Sequence, residues 1–338
     1  MIERVTGRGA VAASVYPGSR SQLHSSAIGC ACGLLLLTTG PAFSQAFPAK
    51  PIRLVIPFAV GGSSDANARI IMPALTERWK QQIVLDPRPG AGTVIGTDLV
   101  AKSAPDGHTL LLTSNLFTNA PITYAKLPYD PHTDLVPITL VTISPHAIVA
   151  HPSLPARNAR ELIALAKARP RQMNMGNTGS PLATYNFNML AKVSVEPIPY
   201  KGAGPLMTDL LGGHIPLAIA AISSVQSAVK SGRARIIGVG SLTPSVLFPE
   251  APVIADGLPG FESVSWFGLM APKGAARELV QRIRNDVATV LQQPDIRQRM
   301  LEIGGEPVGN APEEFEARVR KEIAMWRQVA EVANIKPQ

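Results

Sequence analysis

"KPIRLVIPFAVGGSSDANAR", residues 50 to 69, is the stretch on which the fold turns. Ile52 to Ile56 is a short apolar, β-branched run that reads as a buried strand. Gly61 and Gly62 admit backbone conformations that other residues avoid, and Ser63, Ser64 or Asp65 is expected to cap a helix that the spacing predicts over Asp65 to Lys80. A helix start aims free N–H groups and a partial positive charge at the turn before it, which suits a carboxylate or a phosphate. An ordinary capped loop has the same local sequence, so this stretch alone leaves both readings open.

Outward from it, strands are predicted at Ile83 to Leu85, Thr109 to Thr113, Ile138 to Val149, Pro197 to Pro199, Leu217 to Ala220, Arg235 to Val239 and Val264 to Ala271. Helical spacing is seen over Ala159 to Arg169, Pro205 to Leu211, Arg277 to Leu291 and Pro312 to Val332. The alternation predicts α/β layers with mostly parallel sheets. Three further strand-to-helix turns repeat the opening chemistry: "TSNLFTN" (Thr113 to Asn119), "GNTGSP" (Gly176 to Pro181) and "YKGAGP" (Tyr200 to Pro205). Turns at the carboxyl ends of strands are where an α/β fold places its ligand, and four in agreement outweigh any one.

At 338 residues, 46% hydrophobic and 17% charged, the chain can bury one large or two moderate cores. Residues 1 to 46 read differently. Three arginines and one glutamate accompany the uncharged run Ala27 to Thr39, then Gly40, Pro41 and the small-residue site Ser44-Gln45-Ala46, a pattern for a secretory signal cleaved after Ala46. The run is well short of the roughly 20 residues a membrane anchor needs. "AIGC" at 27 to 30 has its leucines after Cys30 rather than before it, unlike a lipoprotein box. The 26 residues before the run are long for a signal's basic region, which points to a start codon downstream of Met1.

Both cysteines, Cys30 and Cys32, leave with that segment, so thiolate chemistry, disulfides and cysteine metal sites are not expected in the mature chain. Removing the segment takes 32 basic and 24 acidic residues to 29 and 23, a modest and scattered excess. With 5% aromatic residues and no basic stripe, nucleic acid is not an expected partner, whereas a small anion is. His108, His132, His146, His151 and His214 stand singly, and neither a GxxxxGK nor a complete GxGxxG motif occurs, so an enzyme is the weaker class.

Six ordered segments carry a more specific signal. "KPIRLVIPFAVGGSSD", "DPRPGAGTVIGTDLVAKSAPDGHTLLL", "KLPYDPHTDLVPITLV", "HPSLPARNARELIALAKARP", "IPYKGAGPLMTDLLGGHI" and "GLPGFESVSWFGLMAPKG" resemble the Bug proteins, also called the TctC family, the extracytoplasmic solute receptors of tripartite tricarboxylate transporters. The resemblance implies an α/β, type II periplasmic binding protein-like fold: two α/β lobes joined by two crossing strands, with a ligand cleft between them. It places the signal peptide at 1–46, lobe 1 at 47–143 plus 267–338 and lobe 2 at 144–266.

It further implies a periplasmic monomer that closes on a small carboxylate and hands it to transporter membrane subunits, with a membrane sensor as the alternative partner and no cofactor or metal. Ligand-binding positions carried over are Phe58, Gly61, Gly62, Ser64, Asp65, Ser114, Asn115, Asn177, Thr178, Ser180, Tyr200 and Lys201. Asp65 is expected to brace its loop, since it would repel an anion. Family members often carry an aspartate, a histidine and a glutamate where this chain has Ala220, Thr184 and Asn188. Their absence points to a ligand without an amino group: a di- or tricarboxylate, a hydroxy- or keto-acid, or an aromatic acid.

Overall fold

The structure, a computed structural model, describes residues 47–178 and 181–337. The signal-peptide segment and Ser180 therefore lie outside the described residues. The chain opens with β1 (Ile52–Ile56), α1 (Ser63–Trp79), β2 (Ile83–Pro87), α2 (Val94–Ala101), β3 (Thr109–Ser114) and α3 (Leu116–Thr123). The long β4 (Leu135–Ala150) leads to α4 (Ala159–Ala168), β5 (Met173–Thr178), α5 (Leu182–Ala191), β6 (Val195–Tyr200), α6 (Ala203–Leu211), β7 (Leu217–Ala221), α7 (Ile222–Lys230) and β8 (Arg235–Val239). The return strand β9 (Val264–Pro272) is followed by α8 (Arg277–Leu291), α9 (Pro294–Glu302), β10 (Glu306–Pro307) and α10 (Pro312–Val332).

The strands run in the order β2-β1-β3-β9-β4-β7-β5-β6, with β8 and β10 also paired to β4. β1, β2 and β3 are mutually parallel, as are β5, β6 and β7. β4 and β9 run antiparallel to their neighbours. Each half of the sheet is thus mixed rather than mostly parallel, because the two long strands pass between the halves in opposite directions. The sequence reading missed β5: Met173-Asn174-Met175-Gly176-Asn177-Thr178 lacks β-branched residues until its last position and carries a glycine. Gly176 to Thr178 therefore belong to a strand, not to a turn.

Helices cover both faces, as burial of a sheet's two sides requires. In the first half, α1 and α8 close one core around Ile56, Ile71, Leu112 and Ile283. On the other face α2, α3 and α10 close a second, around Leu111, Phe117, Trp266 and Phe315. The second half repeats the plan, with Phe187 and Phe261 in one core and Leu206, Leu210 and Val225 in the other. This two-lobed α/β arrangement, linked by β4 and β9, is the type II binding-protein fold.

Candidate functional site

Register fixes what meets at the crossing. Ser114, the last residue of β3, pairs with Phe267 of β9, and Phe267 pairs with Thr142 of β4. Two residues on, Ser144 pairs with Ser265 and Pro145 with Val264, and His146 then pairs with Ala221 at the end of β7. Beyond β7 lie the ends of β5 and β6, where Thr178 pairs with Tyr200. Parallel strands thus bring their carboxyl ends from both lobes toward the crossing, and α1, α3, α5, α6 and α7 start there with their positive ends.

The opening turn is built by its own aspartate. The cap of α1 is Gly62, with no side-chain cap bond, so the expected capping by Ser63, Ser64 or Asp65 is corrected: all three lie inside the helix. Asp65 reaches back instead, its Oδ2 accepting from the Gly61 N–H at 3.2 Å and from Arg69 Nε at 2.9 Å. The Arg69 bond leads in holding the Asp65 carboxyl below its ordinary range. Gly61 takes φ +85°, a left-handed value that suits glycine, and its N–H is committed to Asp65. Ser64 is buried with its hydroxyl unpartnered, while Gly61 and Gly62 are exposed. Phe58 is half-buried and meets Phe267 edge to face at 6.4 Å between ring centres.

On the same lobe, Ser114 Oγ accepts from the Leu116 N–H at 3.2 Å, and half-buried Asn115 stands at the cap position of α3 without a side-chain cap bond. Across the crossing, Asn177 is buried with neither amide atom partnered, and Thr178 is exposed. The Tyr200 hydroxyl donates to Asp209 at 2.7 Å, and that bond leads in pushing its pKa up to about 12, so its polar end serves α6. Lys201 is exposed beside it. Register thus sets the pair Ser114 and Phe267 on one side of the crossing and the pair Thr178 and Tyr200 on the other. At the three positions where this chain lacks charge, Ala220 is buried, Thr184 is buried with its hydroxyl unpartnered, and Asn188 clamps Val195 through two backbone bonds.

Three residues at the crossing went unremarked as site residues. Asn67 ties α1 to β4, donating to Ser63 O at 2.8 Å and accepting from Thr142 Oγ1 at 2.9 Å. Phe267 backs Phe58. The His146 ring nitrogens meet Ser263 Oγ at 2.8 Å and Ser265 Oγ at 3.0 Å, and burial pushes its pKa down to about 4. A signal existed only for Asn67: an asparagine four residues after Ser63 on a helix's buried face needs a partner. Farther back, buried Glu322 of α10 accepts from Thr118, Trp266 and Arg318. Burial leads in holding its carboxyl above the ordinary range. Among the described residues, no cluster of three or more histidine, cysteine, aspartate or glutamate side chains is placed to hold a metal.

Residues 67–335 match the family model described as the tripartite tricarboxylate transporter family receptor. The chain is 34% identical to protein BugT of Bordetella pertussis over 310 residues, covering 88% of this chain and 94% of that one. Among solved structures it is similar to an R. palustris protein with adipate, at 32% identity and a TM-score of 0.65, covering 86% of this chain and 100% of that one. It is also similar to MatC of Rhodopseudomonas palustris with bound malate, at 29% identity and a TM-score of 0.62, covering 84% and 99%.

Proposed function

This chain belongs to the tripartite tricarboxylate transporter receptor family, whose members are periplasmic solute-binding proteins, and from that premise we propose that it captures a small carboxylate by closing its two lobes and presents it to membrane subunits of a transporter. It binds without transforming. The convergence of strand ends and helix starts from both lobes at one crossing carries this reading. A ligand held from both sides shifts the protein toward the closed state, and the partner reads that state. Support comes from the two similar proteins solved with adipate and with malate, both carboxylates.

In this reading lobe 1 comprises 47–143 and 267–338, lobe 2 comprises 144–266, and the protein works as an exported monomer. Gly62, Ser64, Asn115, Asn177, Thr178, Ser180 and Lys201 offer donors or charge; Phe58, Ser114 and Tyr200 shape the walls. Asp65 holds Gly61 in place. The test is a melting-temperature screen of protein freed of bound ligand by unfolding and refolding, against carboxylates and amino acids. At about a thousand times its dissociation constant a ligand adds roughly 4 kcal/mol, several degrees in a chain this size. A rise with one class of carboxylate is expected; no rise with any carboxylate refutes the reading.

A further inference from the structure

Beside their glycine, serine and asparagine residues, the turns at the ends of β1 and β3 carry apolar side chains that stay in part exposed. The rings of Phe58 and Phe267 lie together at the end of β3, and both stay partly exposed. Val60, on the turn into α1, is 62% exposed, and Leu116, the first residue of α3, is 40% exposed. Among the described residues eight large apolar side chains are exposed, and two of them sit on the two turns that open toward the crossing. Leaving them in water is unfavourable, and a ligand that covers them recovers about 25 cal/mol for each Å² of apolar surface.

Charge on the same turns is scarce. Arg69 is paired with Asp65 at 2.9 Å, and Arg88, after β2, with Asp86 at 2.9 Å. Exposed Lys201 and the start of α1 remain to meet an anion. Three carboxylates brought to such a cleft exceed what it balances, and stripping water from an unbalanced charge is costly.

We propose, resting on the receptor reading above, that the cleft selects an acid whose body is hydrocarbon, aromatic or medium-chain aliphatic, bearing one or two carboxylates. Phe58, Val60, Leu116 and Phe267 cover the body, while the α1 start and Lys201 take the charge. A compact, heavily hydroxylated or tricarboxylic acid leaves the apolar wall uncovered.

Calorimetric titration of the ligand-free protein with benzoate, octanedioate, malate and citrate tests this. Benzoate or octanedioate is expected to bind about 10- to 100-fold more tightly than malate and citrate, as coverage of some 60–100 Å² of hydrocarbon implies. Phe58→Ala and Leu116→Ser are each expected to weaken that hydrocarbon acid about fivefold or more. Because Leu116 is exposed, its variant stays informative should Phe58→Ala fold poorly. Tighter binding of citrate or malate than of both hydrocarbon acids overturns the proposal and leaves the receptor reading intact, as does an unchanged affinity in both variants. Binding of none of the four overturns the proposal, and the receptor reading falls only if the wider carboxylate screen is also silent.

Discussion

Replacing Glu322 with alanine is expected to lower the melting temperature by about 5–12 °C. The buried carboxylate accepts from Trp266 Nε1 at 3.0 Å, Thr118 Oγ1 at 2.9 Å and Arg318 at 3.0 Å, tying α10 to β9 and α3. Not all of this is lost on truncation. Thr118 still donates to Asn115 O at 2.8 Å, and Arg318 still pairs with Glu262 at 2.6 Å. What disappears is a charge-assisted bond, about 1.5–3 kcal/mol, while the indole N–H of fully buried Trp266 is left without an acceptor, about 1–3 kcal/mol more. The sum is about 2.5–6 kcal/mol, at about 2 °C per kcal/mol for a chain this long. Scanning calorimetry measures it, with Glu316→Ala as the control. Glu316 pairs with Arg320 at 2.7 Å with both side chains about half exposed, and such pairs contribute less than about 1 kcal/mol. Equal shifts for the two variants refute the reasoning, since they mean that the buried network adds nothing beyond a surface pair.

The crossing yields two more predictions. His146 is held neutral in the fold with a pKa of about 4, below the unbonded value near 6.5, so the unfolded chain binds the extra proton between them. Its contribution is full above about pH 6.5 and is lost as pH falls toward 4; His146→Gln is expected to flatten the decline in melting temperature over that window, and an unchanged slope counts against it. Gly240→Ala places a methyl 2.5 Å from Ser263 O and 3.2 Å from His146 O, both backbone atoms at the crossing, and is expected to cost about 1–3 kcal/mol. Gly204→Ala in α6 meets nothing within 4 Å, so thermal melts that rank the two substitutions alike contradict the packing account.

The amino-acid sequence by itself determined the layered α/β plan, the four chemically similar turns and the family resemblance. Strand and helix periods, glycine turns and ordered segments are local properties that a reader takes from neighbours in the chain. α8 and α10 fall over the very residues their apolar spacing predicts. Only the tertiary structure decided which polar atoms are spoken for. Asp65 and Asn188 find partners within seven residues, yet choosing those partners over a ligand depends on the turn geometry around them. Asn67 with Thr142, His146 with Ser263 and Ser265, and Glu322 with Thr118 join residues 75 to 204 positions apart. Such pairings follow from how β4 crosses β9 and how α1, α3 and α10 pack on the sheet, and no window of neighbouring residues encodes that packing. The contact of Phe58 with Phe267 has the same origin: the two are unremarkable in the chain and meet only when β1, β3 and β9 lie side by side.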